Sequence, residues 1–266
     1  MWTTTDLELI VREAGTRMKQ MHPFEVEAKE GHSNFVTECD RQLQEYLYDH
    51  LHALIPEANF VGEEEGKGNY RPSYRSGLVL VVDPIDGTNN FITGYRPSVV
   101  SVGILKDGKP FIGIVYNPYS DEMFQAEKGK GAFMNGKRIF SSKRSLEESL
   151  VVFGTSPYYT QLKERTFRFV RYYYDRCMDI RRSGSSAWDL CCVACGRAGL
   201  FFELSLGLWD YAAAACIVQE AGGRVTDDRG NELEYNGRTG VVVVSGGVAR
   251  QDYLPDTEDS MEGGTE

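Results

Sequence analysis

Two aspartates leave one apolar stretch together. Asp83 and Asp86 follow Leu78 to Val82, five branched aliphatic residues set between Gly77 and Pro84. A run this short and unbroken reads as a strand buried on both faces. It ends at Asp83, because the Pro84-Ile85 pair cannot continue it. Gly87-Thr88 then follow, small enough for a backbone N–H to approach an anion. Ionised carboxylates at this spacing must take a proton, a basic partner or a cation. Asn89, Asn90 and Phe91 offer no base, so a bound cation is the simplest local answer. Oxygen-only ligands point to Mg²⁺ or Mn²⁺.

Four more carboxylates could join them, each with a plainer competing explanation. Glu63 heads the Gly62-Glu63-Glu64-Glu65 run after a short strand and could reach the same cation, or belong to a solvated, mobile acidic loop that runs on to Gly68. Asp40 stands three residues after Thr37, a capping-box spacing. Asp210 opens an alanine-rich helix, where an acid also suits the helix dipole. Glu203 interrupts the apolar strand 200–206, and a solvent-facing position would explain it. Histidine offers little: His22, His32, His50 and His52 all precede the aspartate pair, with no nucleophile signature to serve. Neither a GxxxxGK[ST] loop nor a GxGxxG turn after a strand is present.

The 266 residues suffice for one large domain or two intimately packed halves. A formal charge of -10 argues against nucleic acid or an anionic membrane as the main partner. Six acids and no Lys or Arg fall between Gln251 and Glu266, so this tail reads as disordered. The start lacks the basic residues of a secretory signal and no apolar run reaches membrane length, so a cytoplasmic protein is expected. Cys191, Cys192 and Cys195 crowd one helix turn with no two Cys-x-x-Cys pairs at zinc spacing, and read as core thiols.

The elements that must position these groups follow from periodicity. Leu7, Ile10, Val11, Ala14 and Met18 line one face of a first helix, and Cys39, Leu43, Leu47, Leu51 and Leu54 line a second that Pro56 ends. Between them lie extended pieces at 24–28 and 34–36 around the polar turn 30–33, and a short strand near 59–61 follows the second helix. Strands at 98–106, 109–116 and 122–127 read as an antiparallel meander, with Asp107-Gly108 as a hairpin turn. The remainder alternates: strand 150–153, helix 161–174, strand 178–181, helix 186–195, strand 200–205, helix 209–221 and strand 241–244. A layered α/β protein with mixed sheets is expected. We divide it into an N-terminal α+β half (1–145) carrying most metal ligands, a C-terminal α/β half (146–250) completing the site, and the acidic tail (251–266).

Taken together, these positions resemble the inositol monophosphatase family of lithium-sensitive, Mg²⁺-dependent sugar phosphatases. Asp83 to Phe91, DPIDGTNNF, is similar to the family's first signature, and Trp209-Asp210 with Glu220-Ala221-Gly222-Gly223 is similar to its second. Gly62-Glu63-Glu64 and Val36-Thr37-x-x-Asp40 complete the pattern. The resemblance implies a layered α-β-α-β-α sandwich with largely antiparallel sheets, and a homodimer. It implies that Glu63, Asp83 and the Ile85 carbonyl hold one Mg²⁺, that Asp83, Asp86 and Asp210 hold a second, and that a third, weaker ion shares Glu63. One ion activates water, with Thr88 oriented by Asp40 taking the proton, and the other stabilises the leaving alkoxide. Gly87 and Thr88 would donate backbone N–H groups to phosphate.

The implied reaction is hydrolysis of a small polyol phosphate, foremost inositol 1-phosphate, without a covalent intermediate. Glu203 and Ser186 stand where the monophosphatase branch contacts sugar hydroxyls, and Thr155, Arg181 and Gly184 fall in matching segments. Arg182-Ser183 and Ser185-Ser186-Ala187-Trp188 depart from the animal pattern and alter the pocket floor. Fructose-1,6-bisphosphatase and nucleotide 3′-phosphatase activities of the same superfamily are the alternatives, although no extra cationic contacts for a bisphosphate are identifiable. A haloacid-dehalogenase phosphatase would need Asp-x-Asp, whereas two residues separate Asp83 from Asp86. A non-catalytic metal- or phosphate-binding regulator is the remaining reading.

Overall fold

Thr3 and Asp6 open the first helix by capping each other. In the computed structural model Thr3 Oγ1 accepts from Asp6 N at 3.3 Å, and Asp6 Oδ2 accepts from Thr3 N at 2.8 Å. The structure describes residues 2–21, 26–30, 34–65 and 76–255, with the backbone alone at 26–37. Residues 31–33 of the expected turn 30–33, the side chain of Thr37, the loop 66–68 and the tail from 256 onward lie outside the described residues.

The first half runs α1 (Thr4–Gln20), β1 (Val26–Glu30), β2 (Asn34–Thr37), α2 (Glu38–Leu54), β3 (Asn59–Gly62), β4 (Leu78–Asp86), α3 (Thr88–Thr93), β5 (Val99–Lys106), β6 (Lys109–Asn117), β7 (Glu122–Glu127), β8 (Gly131–Met134) and β9 (Lys137–Ile139). The second runs β10 (Leu150–Phe153), α4 (Lys163–Tyr174), β11 (Asp179–Arg181), α5 (Ser186–Ala194), β12 (Leu200–Leu206), α6 (Leu208–Glu220), β13 (Arg224–Asp227) and β14 (Thr239–Val244). Strands β3 to β9 form a seven-stranded sheet in sequence order, parallel only between β3 and β4. A five-stranded sheet has the order β11-β10-β12-β14-β13, parallel among its first three strands and antiparallel beyond. Strands β1 and β2 form a separate hairpin.

Alternation along the strands builds the layers. Leu80 and Val82 of β4 face a core shared with Leu7, Val11, Leu43 and Leu47 of α1 and α2. Val79 and Val81 face the opposite way, into a core filled by α5 and α6 and closed beyond them by Phe201, Val241 and Val243 of the five-stranded sheet. The far face of that sheet, with Phe202 and Val242, packs on Phe169 and Tyr173 of α4. The result is the expected α-β-α-β-α sandwich. Helix α6 fits between two sheets because it is alanine-rich and meets glycine: a Cβ on Gly113 would stand 2.0 Å from the Ala213 carbonyl oxygen.

Several sequence expectations need correction. Strand β4 does not stop before Pro84; it continues to Asp86, with a register shift against β5 between Asp83 and Asp86. A bulge lets proline sit in a paired strand and re-aims the side chains beside it. The meander carries two further strands, β8 and β9, and β13 adds an edge strand. Asp107 and Gly108 have φ of 51° and 75°, the paired positive values of a tight hairpin turn. The acidic tail does not begin at Gln251: Tyr253 is buried, and its carbonyl accepts a hydrogen bond from the Tyr173 hydroxyl. Among the described residues no helix is long and apolar enough to cross a membrane. All six cysteines are free thiols, and Cys191 and Cys192 are buried as expected.

Candidate active site

The end of β4 is the floor of a cleft of about 300 Å³ that reaches from Glu63 to the start of α6. Strand β3 runs parallel to β4 and carries Glu63 past its end, where Glu63 N donates to Val82 O at 3.1 Å. The loop is held from behind. The Gln44 amide of α2 accepts from Glu64 N at 2.8 Å and donates to Glu64 O at 2.7 Å, and Glu64 is buried. At its first residues, then, this acidic stretch is anchored rather than solvated.

Carboxylate oxygens of Glu63, Asp83 and Asp210 lie within 4.8 Å of one another. Asp83 is fully buried; its Oδ1 accepts from Ile85 N at 3.0 Å, while its Oδ2 meets no hydrogen-bond donor among the described residues. Burial first, then the charges of Glu63, Asp86 and Asp210, push the Asp83 carboxyl well above its usual range. Asp210 is raised in the same way, by burial and then Glu63 and Asp86. Asp210 also stands in the first turn of α6 as the sequence suggested, where its Oδ2 accepts from Gly207 N at 2.6 Å. A buried, donor-free carboxylate oxygen amid like charges fits a hard divalent cation with oxygen ligands. Glu63, Asp83 and Asp210 have the donor set to hold it.

Asp86 has a different environment. Its Oδ2 accepts from Ser185 Oγ at 2.6 Å and Ala187 N at 2.7 Å, and its Oδ1 from Ser186 N at 3.2 Å. Burial still outweighs these donors and pushes the carboxyl up to about 7. Asp86 lines the cleft beside the other three but is tied to the start of α5, and the closely spaced cluster is Glu63, Asp83 and Asp210.

Asp40 lies buried on the first turn of α2, and Thr88 Oγ1 donates to its Oδ1 at 3.2 Å. The same hydroxyl lies 3.1 Å from the Ile85 carbonyl oxygen. Gly87, at φ 93°, turns the chain between β4 and α3 in the left-handed region that glycine enters without strain, leaving Thr88 at the mouth of the new helix. Asn90 Nδ2 fastens α3 to the segment before α5, donating to Pro97 O at 2.6 Å and Ser183 O at 3.0 Å.

Glu203 is not a solvent-facing strand residue. It is buried, and its carboxylate accepts from Ser156 N at 2.8 Å, Ser156 Oγ at 3.2 Å and Ser186 Oγ at 2.8 Å. Burial nevertheless raises its pKa. Of the three positions noted beside it in the sequence, Gly184 lines the cleft, whereas Arg181 pairs with Asp179 and Thr155 is not a lining residue. Asp189, Arg182 and Arg238 line it as well, and Asp189 and Arg238 escaped sequence reasoning. Asp189 is buried and pushed well above the usual carboxylate range by that burial, with Ser183 beside it. Its signal was available: it is the one acid in the otherwise apolar or small stretch SAWDLCCVA. Arg238, in a loop before β14, had none.

Comparisons with known proteins give the family. A profile described as the inositol monophosphatase family matches residues 2–262. Inositol monophosphatase 2 of Solanum lycopersicum is 41% identical over 212 residues, covering 77% of this chain and 79% of its own. The extragenic suppressor protein suhB of Bartonella henselae superposes with a TM-score of 0.83 at 30% identity, covering 92% of this chain and 94% of its own. Inositol monophosphate-bound SaIMPase-II of Staphylococcus aureus gives a TM-score of 0.79 at 26% identity, covering 94% and 93%. The chain belongs to the inositol monophosphatase family and is a phosphomonoesterase.

Proposed function

We propose that the protein is a Mg²⁺-dependent phosphomonoesterase acting on a small polyol phosphate, with inositol 1-phosphate the first substrate to test. The observation that carries the metal dependence is the donor-free, buried Asp83 Oδ2 within the Glu63, Asp83 and Asp210 cluster. Asp86 and the Ile85 carbonyl border the same floor and complete the expected oxygen set for two ions, with Glu63 as the place for a third. When bound there, the cations supply Lewis-acid activation of water and charge neutralisation for phosphate and leaving group.

The chain's own residues handle the proton. Thr88 Oγ accepts it from the attacking water while passing its own to Asp40 Oδ1, 3.2 Å away. Asp40 is buried and so placed to hold that hydroxyl in line. Gly87 and Thr88 offer backbone N–H groups at the start of α3, where the ester phosphate would lie. The water oxygen bonds to phosphorus as the P–O bond to the ester oxygen breaks, the alkoxide leaves and takes a proton from solvent to become the alcohol, Asp40 returns its proton to solvent through Thr88, and no side chain becomes phosphorylated. Ser186 and Glu203 border the alcohol's side of the cleft. A relative with inositol monophosphate bound supports the polyol class.

The test is phosphate release from a panel of esters with Mg²⁺ and after EDTA treatment. Release from inositol 1-phosphate that needs added Mg²⁺ and disappears in Asp83→Asn is expected. Undiminished activity in stripped protein would refute the metal reading, and a trapped phosphoaspartate would refute the direct attack by water.

A further inference from the structure

Two positive charges stand at the mouth of the cleft with no assigned task. Arg182 precedes α5 and Arg238 precedes β14; both are exposed and both line the cleft. Among the described residues neither makes an ion pair, whereas the adjacent Arg181 pairs with Asp179. The Arg238 guanidinium lies 5.3 Å from the centre of the Tyr159 ring, a cation–π contact that holds it at the rim. Tyr158, Tyr159 and Trp209 line the same opening.

The interior beneath them is acidic and largely committed. Glu203, the expected acceptor for sugar hydroxyls, already receives three hydrogen bonds from Ser156 and Ser186. An anionic group entering beside Glu203, Asp189 and Asp210 meets carboxylates unless cationic side chains intervene, and the guanidinium is suited to bind phosphate or carboxylate in a bidentate manner.

We propose that Arg182 and Arg238 form a subsite for a second anionic group on the substrate, so that the site prefers esters whose alcohol carries a phosphate or carboxylate of its own. This rests on the phosphomonoesterase reading and narrows its substrate class. It also supplies the cationic contacts for a bisphosphate that could not be picked out from sequence.

Two matched substrate pairs test it: fructose 1,6-bisphosphate against fructose 1-phosphate, and 2-phosphoglycerate against glycerol 2-phosphate. The doubly anionic member of at least one pair should have a kcat/KM tenfold or more above its partner, mainly through KM. The favoured pair tells a phosphate from a carboxylate. In the double variant Arg182→Gln/Arg238→Gln that ratio should fall at least tenfold. A ratio near one in the unaltered protein, or one that survives the double substitution, overturns the subsite. The same preference should be visible as binding, by calorimetry with Mg²⁺ in the slow variant Thr88→Ala. Arginine-dependent preference in binding without hydrolysis of any ester would keep the subsite and refute the enzyme reading. Hydrolysis without preference would do the reverse.

Discussion

Asp86 and Ala187, 101 positions apart in the chain, are joined by a 2.7 Å hydrogen bond from the Ala187 backbone N–H to the Asp86 carboxylate. With Ser185 Oγ and Ser186 N on the same carboxylate, this ties the end of β4 to the N-terminus of the helix packed between the two sheets. Two of the three donors are backbone N–H groups that a helix end leaves unpaired, and a carboxylate there also suits the helix dipole. The side chain expected to hold metal is thus also a structural clamp between the halves of the cleft.

Asp86→Ala should therefore destabilise the protein even without metal, by roughly 2 kcal/mol as buried donors lose a charged acceptor. Urea unfolding in EDTA at pH 7 measures it. A midpoint equal to that of the unaltered protein would mean that Asp86 matters only through the cation.

The buried carboxylates also set a pH dependence. Asp83, Asp86 and Asp210 all have folded values raised above the ordinary 3.8, Asp86 to about 7, with burial the first cause in each. Between those values the folded state binds more protons than the unfolded, so stability falls as pH rises. Metal-stripped protein should lose at least about 5 °C of Tm from pH 5 to pH 8, equivalent to roughly 2 kcal/mol for a chain of this size. Saturating Mg²⁺ should flatten that slope, because the cation replaces the protons. Scanning calorimetry at several pH values, with and without Mg²⁺, decides it; parallel profiles would argue against a metal at these carboxylates.

Asp83 and Asp86 stood out in the sequence because their spacing after a buried run is a local signal, and most elements did because periodicity is local too; Glu63, Asp40 and Asp210 joined them only through the family resemblance. Sequence reading could not find what tertiary contact decides. Pro84 argued for the end of a strand, but the neighbouring β5 accommodates it through a shift in register. Helix α3 has six residues between left-handed Gly87 and Gly94, too short to show a period. The donors around Asp86 lie near residue 186, and those around Glu203 come from Ser156 and Ser186. Solvation and burial of Glu203 were indistinguishable in an alternating strand until the neighbouring segments were placed.

Thr88→Ala should lower kcat by about two to four orders of magnitude with little change in KM, as expected for loss of a proton relay. Asp40→Asn should lower kcat as well, because the amide accepts the Thr88 proton poorly, whereas Thr88→Ser should retain most of the rate. Steady-state kinetics of the three variants separates relay from fold. A large rise in KM for Thr88→Ala, or full activity in Asp40→Asn, would place the proton transfer elsewhere.

A Cβ on Gly154 would stand 1.8 Å from Glu203 Oε2, so only glycine leaves room for this carboxylate beside Ser156. Gly154→Ala must push Glu203 off its three donors, while Glu203→Gln keeps its shape and replaces one accepting oxygen with an N–H donor. If Glu203 orders Ser156 and Ser186 along the alcohol's side of the cleft, both variants should lower kcat/KM for inositol 1-phosphate by tenfold or more. Hydrolysis of p-nitrophenyl phosphate, whose leaving group has no sugar hydroxyls to place, should change by less than about threefold in Glu203→Gln by the same reasoning. Gly154→Ala should be the more severe of the two, because displacement also leaves buried Ser156 N without its acceptor. Both substrates assayed side by side on both variants give the answer. Equal losses on the two esters would mean that Glu203 supports the metal cluster or the fold; no loss on either would remove Glu203 from substrate recognition.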